Sequence, residues 1–575
     1  MNSRISGDAD NYWNLLRISV GDGGSMGGTR TENQEIFMKQ QTSRWMRQED
    51  RGMLARMTSS TLRLTLAGGL MASGLTLALA SPAAALTCSS GVEGDVNGDG
   101  RAEVAVSEAG RSYGKGAVHV FYGRTTGLVA AASGTALDDQ YIDQETSGVP
   151  GAGADYDRFG SALAFGDYNK DGCADLAVGA DSDGDAGTIF VFYGSKTGLK
   201  TTGSVRLSNE QVLGSAPGTP KDQGFGSILV AADLNDDDVT DLGIGVPSKL
   251  VGAEGRGTIA VLFGGTGGLG TANKTVLDRA SVGMAADDFE VGKSLAVGDF
   301  DGNGIQELAF GLNEGKLQIL EAGAGGFVAS QGPLSGEDVG VDDFIADVDG
   351  EGDKWVFGDI IAAGDVDADG DDDLATGMPA KGNGGTVALV KGTSSGLTAT
   401  GVAKWGQGTI GVVGTPGDSD SFGAELAMGR LDAGPTDDLA IGVPFDEING
   451  NGGAGSVNIL LGGPTGLSSA GEGGARYHQD TAGVPGTAED IDVFGRTVSI
   501  ANVQSKTQGS LIIGVLREKI GTIEAAGQFH QLSIMAGGPK GTNSTAFNLD
   551  SVGVRGDSRK GAEFGRALSG SGRFY

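Results

Sequence analysis

The chain has 575 residues, a net charge of −33 and 106 glycines, and only 6% of its residues are aromatic. So large an excess of acid argues against nucleic acid and anionic membranes as partners, because phosphate contacts need a basic patch. The length would suit about three or four average domains, but the glycines recur at regular turn positions, which points instead to one ordered repeat array.

In chain order, residues 1–52 read as a spurious or disordered extension, because a secretory signal follows them and such signals do not normally start about 50 residues into a chain. Residues 53–85 form that signal. Arg44, Arg47, Arg51 and Arg56 precede it or open it, an apolar core spans Leu64–Leu79, and Ala83-x-Ala85 is a small-residue cleavage site. The core is too short and too interrupted by glycine to span a membrane. The mature protein is therefore expected to be extracellular, with no transmembrane anchor. Cys88 and Cys173 are the only cysteines. In an oxidising compartment two cysteines favour one disulfide, here tying down the mature N-terminus beside the ring seam.

Residues 86–575 carry the repeat. Phe-Gly starts a unit at Phe159, Phe225, Phe357, Phe422, Phe494 and Phe564, and Val291-Gly292 fills the same slot, so the spacings are 66, 66, 66, 65, 72 and 70 residues. A period of this size must be read before anything else. Each start opens a short apolar run. An acidic loop, a second run such as LAVGA or LAIGVP, and then Gly-x-x-x-Val segments such as GTIFVFYG follow. These short β-rich runs, bounded by Gly, Asp and Pro, read as strands. Three strands per unit are clear and a fourth is weaker, which describes a propeller blade. The first acidic loop has no Phe-Gly before it, and the last Phe-Gly has no acidic loop after it. The expected fold is therefore all-β: a seven-bladed β-propeller of four-stranded blades whose first blade is completed by the C-terminal strand.

The acidic loops suggest a metal. In Asp167, Asn169, Asp171 and Asp175, oxygen side chains fall at loop positions 1, 3, 5 and 9, with Gly172 at position 6. Alternating hard oxygens around a tight turn suit Ca²⁺ better than Mg²⁺, which takes fewer protein ligands in a stricter geometry. The same offsets recur at Asp95, Asn97, Asp99 and Glu103; at Asp233, Asn235, Asp237 and Asp241; at Asp299, Asp301, Asn303 and Glu307; and at Asp365, Asp367, Asp369 and Asp373, the most complete set. Asp238 replaces the turn glycine in the third. The sixth slot starts with Arg430 and the seventh, from Asn502, has no acid. The expectation is five structural Ca²⁺ sites and two metal-free loops.

Phe-Gly, the Asp-x-Asn/Asp-x-Asp-Gly loop and the closing Gly-Ala or Gly-Val-Pro together resemble the FG-GAP repeat of integrin α-subunit propellers. The resemblance covers about Cys88–Tyr575 and looks like a secreted bacterial type. It implies calcium loops between the first and second strands of a blade, and ligand contact on the opposite, upper face. The connectors that would build that face include Asp143–Gly160 and His478–Gly495. Related repeats occur in glycosylphosphatidylinositol-specific phospholipase D.

Catalytic signals are weak. Gly392-Thr-Ser394-Ser-Gly396 has a nucleophile-elbow pattern, but it aligns with hairpin turns in the other repeats, and an elbow needs a strand-to-helix turn. His119 and His530 lie in strands and read as packing residues; His478 opens a connector. Arg555-Gly556-Asp557 spells a cell-attachment tripeptide that arises easily by chance in a chain of this composition. The first functional reading is a monomeric, non-catalytic binding or adhesion module for an extracellular glycan or protein. The second is a secreted hydrolase or polysaccharide lyase with a site on the upper face, for which Tyr141, Tyr156, Trp405, Tyr477 and His478 are the residues to inspect. The third is a structural envelope or matrix protein.

Overall fold

A computed structural model describes Cys88 and residues 91–570, apart from 111–113, 129–138, 185, 215–223, 248–249, 252–253, 256, 279–280, 282–289, 313–314, 324–325, 342–355, 380–383, 469–473 and 536–537. The extension at 1–52 and the signal at 53–85 lie outside the described residues.

Seven four-stranded antiparallel sheets follow one another along the chain. Blade 2 is representative, running outward from Phe159–Gly166 through Asp175–Ala180 and Thr188–Tyr193 to Lys200–Ser208. Blades 3 to 7 begin with inner strands Ile228–Ala232, Leu295–Gly298, Ile360–Gly364, Glu425–Gly429 and Phe494–Ala501. In blade 1 the inner strand is Phe564–Leu568, from the far end of the chain, paired antiparallel with Val104–Glu108. Side chains help to fix that seam: Ala567 N donates to Ser107 Oγ at 2.7 Å, Ser569 N to the Ala105 carbonyl at 3.0 Å, and Ala105 N to Ser569 Oγ at 3.2 Å. Each inner strand touches the next in cyclic order, and Phe564–Leu568 touches both Phe494–Ala501 and Phe159–Gly166. The ring is therefore closed.

The repeated Phe-Gly has a steric reason. The Phe side chains, or Val291 in blade 4, are buried between blades. The glycine after each has φ between 80° and 95°, the left-handed region that favours glycine, and in blades 1, 2 and 7 the register shifts there as in a β-bulge. The second glycine of the pattern sits in the neighbouring blade. A Cβ at Gly179 would lie 1.8 Å from the Gly226 carbonyl oxygen, and one at Gly377 would lie 2.1 Å from that of Gly423. The two glycines let adjacent blades touch backbone to backbone. One five-residue helix, Asn209–Leu213, follows the outer strand of blade 2. It was not anticipated, since it is too short to show a 3.6-residue period; a capping box between Ser208 and Gln211 and a left-handed Gly214 define its ends.

Candidate metal loops and ligand face

In blades 2 to 7 the loop slot joins the inner and second strands, and the first acidic loop runs directly into the second strand of blade 1, so all seven slots lie at one end of the ring. The loops are also joined laterally. Ala174 N donates to the Asp95 carbonyl (2.9 Å), Thr240 N to that of Asp167 (3.3 Å), Asp372 N to that of Asp299 (2.8 Å), and Asp437 N to that of Asp365 (2.8 Å). Gly509 N to the Arg430 carbonyl (2.7 Å) and Ala102 N to the Asn502 carbonyl (3.1 Å) carry the chain of bonds across the seam.

Within a loop the first acid caps the turn. Asp167 Oδ1 accepts from Asp171 N at 3.0 Å and its Oδ2 from Gly172 N at 2.8 Å. The ninth-position acid is a clamp. Asp175 accepts from Tyr168 N (3.1 Å) and from Gly194 N (2.8 Å), the latter just past the third strand. Asp241 does the same with Leu234 N and Gly264 N, and Glu103 and Glu307 accept from Val96 N and Phe300 N. Asp438, in the sixth slot where no metal was expected, also accepts from Leu431 N (2.7 Å) and Gly462 N (2.9 Å). Sequence reasoning weighed these ninth-position acids as ligands alone, whereas their backbone role is independent of metal. Burial, before any neighbouring charge, pushes their carboxyls up: to about 8 at Asp175 and Glu307, and to about 7 at Asp241 and Asp373.

The loops differ in how ready they are for a cation. Among the described residues, three carboxylates converge within 4.8 Å in blade 4 (Asp299, Asp301, Glu307) and in blade 5 (Asp365, Asp367, Asp369). Those of blades 1 to 3 are not gathered so closely. In the same two blades, oxygens of Asp299, Glu307, Asp365, Asp367 and Asp373 are buried without a hydrogen-bond partner among the described residues. Buried, unpartnered anionic oxygens are costly, so this donor set fits a hard cation. Blade 5 also holds a group that sequence reasoning missed: Lys391 Nζ contacts Asp367 and lies 3.1 Å from Asp369 Oδ2. The signal was available, since VALVKG has lysine where VFYG, VLFG and ILLG carry aromatic or aliphatic residues.

The structure pairs Cys88 with Cys173, whose Cα atoms are 4.8 Å apart, within the range a disulfide requires. The bond joins the segment before the first acidic loop to the second loop.

At the opposite end of the ring lie the loops between second and third strands and the connectors between blades. Each of Ala154, Gly417 and Glu489 N donates at 2.7 Å to the carboxylate three residues on, Asp157, Asp420 or Asp492. Tyr156 and Ile491, each just before its Asp, have φ of 71° and 65° and are 67% and 49% exposed. Phe445 is also exposed, and Gly453 lies beside both its ring and the Ile491 backbone. The five residues singled out for inspection do not converge. Trp405 and Tyr477 are buried at the ends of the outer strands of blades 5 and 6, Tyr141 lies on that of blade 1, and Tyr156 lies in the connector between blades 1 and 2. The His478 Nδ1 atom is buried with no partner among the described residues. His119 is fully buried, 3.2 Å from Asp139 and 3.6 Å from Glu108. Ser394 sits in a turn with strands on both sides, so no nucleophile elbow forms there. The Arg555 guanidinium lies over the Tyr141 ring at 4.7 Å, so the arginine of the tripeptide is engaged within the chain.

The FG-GAP repeat family model matches residues 89–121 and 159–192. Phosphatidylinositol-glycan-specific phospholipase D of Bos taurus is 34% identical over 182 residues, which are 30% of this chain and 20% of that protein. Integrin alpha-PS5 of Drosophila melanogaster is 37% identical over 27% of this chain and 14% of its own length. Integrin alpha-IIb of Mus musculus is 35% identical over 29% of this chain and 15% of its own length. The matched region thus spans about a fifth or less of these curated relatives. The chain carries FG-GAP repeats and folds as an FG-GAP β-propeller, a fold related to that of integrin α subunits.

Proposed function

We propose that this FG-GAP β-propeller is a secreted, calcium-stabilised binding or adhesion module that engages an extracellular glycan or protein through its connector face. The signal-type segment at 53–85 supports secretion. The unpartnered oxygens of the blade 4 and blade 5 loops support calcium. Asp299, Asp301, Asn303 and Glu307 would hold the ion in blade 4, and Asp365, Asp367, Asp369 and Asp373 in blade 5. A bound cation would offset crowded carboxylates and add stability by mass action, about 2.7 kcal/mol for a site at a hundredfold excess over its Kd.

One observation carries the binding reading. Tyr156 and Ile491 are bulky, exposed and held at positive φ in equivalent connectors. That conformation costs an L-residue roughly 1–2 kcal/mol, more for a β-branched side chain. The exposed side chains gain no burial from this conformation, and backbone strain clusters at functional sites. The net charge of −33 favours neutral or cationic ligands.

A glycan and extracellular-matrix array probed with the purified chain, with Ca²⁺ and with EDTA, tests the reading. The discriminating variant is Ile491→Asn, because asparagine tolerates the left-handed region. Its melting temperature should hold or rise, while binding to any array ligand should fall about tenfold, the usual effect of removing an apolar anchor. Hydrolysis of a model ester, or cleavage of a uronate polymer, would instead establish an enzyme.

A further inference from the structure

In each blade that has one, the ninth-position acid lies directly across from one residue of the third strand. Leu308 pairs with Leu320 and Leu374 with Val390, so Glu307 faces Glu321 and Asp373 faces Lys391. The corresponding partners are Tyr193 for Asp175, Phe263 for Asp241 and Leu461 for Asp438. We propose that this third-strand position ranks the acidic loops as Ca²⁺ sites: Glu321 makes blade 4 a tight site with an added carboxylate, and Lys391 makes blade 5 a looser one whose charge its own ammonium partly neutralises.

The proposal rests on the calcium reading above and on three further facts. First, both loops are cation-ready. Glu307 and Asp373 are each 1% exposed and carry an oxygen without a partner among the described residues. Second, Glu321 reaches the blade 4 loop, accepting from Asn303 Nδ2 at 3.3 Å. Two glutamates directly opposite in a sheet repel each other, and a divalent ion between them removes that repulsion. Third, in blade 5 the same position delivers a cation into the loop, with Lys391 Nζ against Asp367 and Asp369. Each loop has four anionic side chains in reach, yet in blade 5 an incoming ion must displace an ammonium and then tolerate it nearby. Affinity in oxygen-ligand loops follows the ligand charge count. Losing one negative charge, or retaining one positive charge, at this range is expected to change Kd by about tenfold.

Calorimetric titration of the purified, decalcified chain with CaCl₂ tests this, comparing wild type with Glu321→Gln, Lys391→Met and Lys391→Arg. Lys391→Met should tighten one site about tenfold, Glu321→Gln should weaken a different one about tenfold, and Lys391→Arg should titrate like wild type. Adding Asp365→Asn to Lys391→Met should abolish the tightened site, and adding Asp299→Asn to Glu321→Gln should abolish the weakened one. Melting curves in EDTA, matched to wild type, exclude misfolding. Calcium binding by all three variants with wild-type affinities, or weaker binding by Lys391→Met, would overturn the ranking and leave the calcium reading standing. A wild-type chain that takes up no calcium would remove both.

Discussion

At the scale of single residues, the buried imidazole of His530 makes a prediction independent of metal. It lies in the third strand of blade 7, is fully buried, and packs edge-on against Phe494 at 5.3 Å. Neither ring nitrogen has a partner among the described residues. Burial alone pushes its pKa down, from 6.5 to about 3. The folded chain therefore refuses a proton that the unfolded chain accepts below pH 6.5. Stability is intact above that value and falls as pH drops toward 3, by about 2 kcal/mol between pH 6.5 and pH 5. Urea unfolding at both pH values should show wild type losing this increment relative to His530→Leu. A gap between the two proteins that does not change with pH would show that His530 is protonated in the folded state.

At the scale of elements, the glycine pair between blades is the feature most open to test. Gly179→Ala puts a Cβ onto the Gly226 carbonyl, and backbone cannot swing aside as a side chain can. A loss of about 3 kcal/mol or more is expected. Gly267→Ala, with nothing within 4 Å of the added Cβ, should change stability by less than about 0.5 kcal/mol. Thermal melts of the two variants give the comparison; equal melts would mean that the blades can separate at that contact. Strand order and blade count were legible in the sequence because Phe159-Gly160 and Gly179 each answer a steric demand that recurs along the chain, the second in every blade but the first, where Ser107 stands in that slot. The loop ligands were legible as a pattern, but their ranking was not. Asp373 and Lys391 are 18 residues apart in the chain and meet only through strand pairing. The dual role of the ninth-position acids was hidden for the same reason: the amides they clamp, such as Gly194 N for Asp175, come from beyond the next strand.

At the scale of the molecule, stability is a property of the closed ring, because every blade buries its apolar faces against two neighbours. The seam in blade 1 is where that closure can be undone without touching any other blade. Phe564, Ala567 and Leu568 are each 1% exposed or less; Phe564 and Leu568 pack with Val104, Val106, Phe121 and, from blade 7, Phe529, while Ala567 joins the core shared with blade 2. Ending the chain at Ala562 would remove the inner strand of blade 1 and expose Val104–Glu108 as an unpaired apolar edge. Such edges recruit other chains. The connector contact between Arg559 and Glu108 would remain, but it is a single ion pair at the rim and cannot replace a buried strand. The truncated protein is therefore expected to melt at a lower temperature and to run as oligomers on size exclusion. A synthetic peptide of residues 563–570, added in trans, should restore much of the melting temperature by occupying the vacant strand position. A truncated chain that stays monomeric with an unchanged melt would mean that six complete blades carry the fold and that the terminal strand only decorates it.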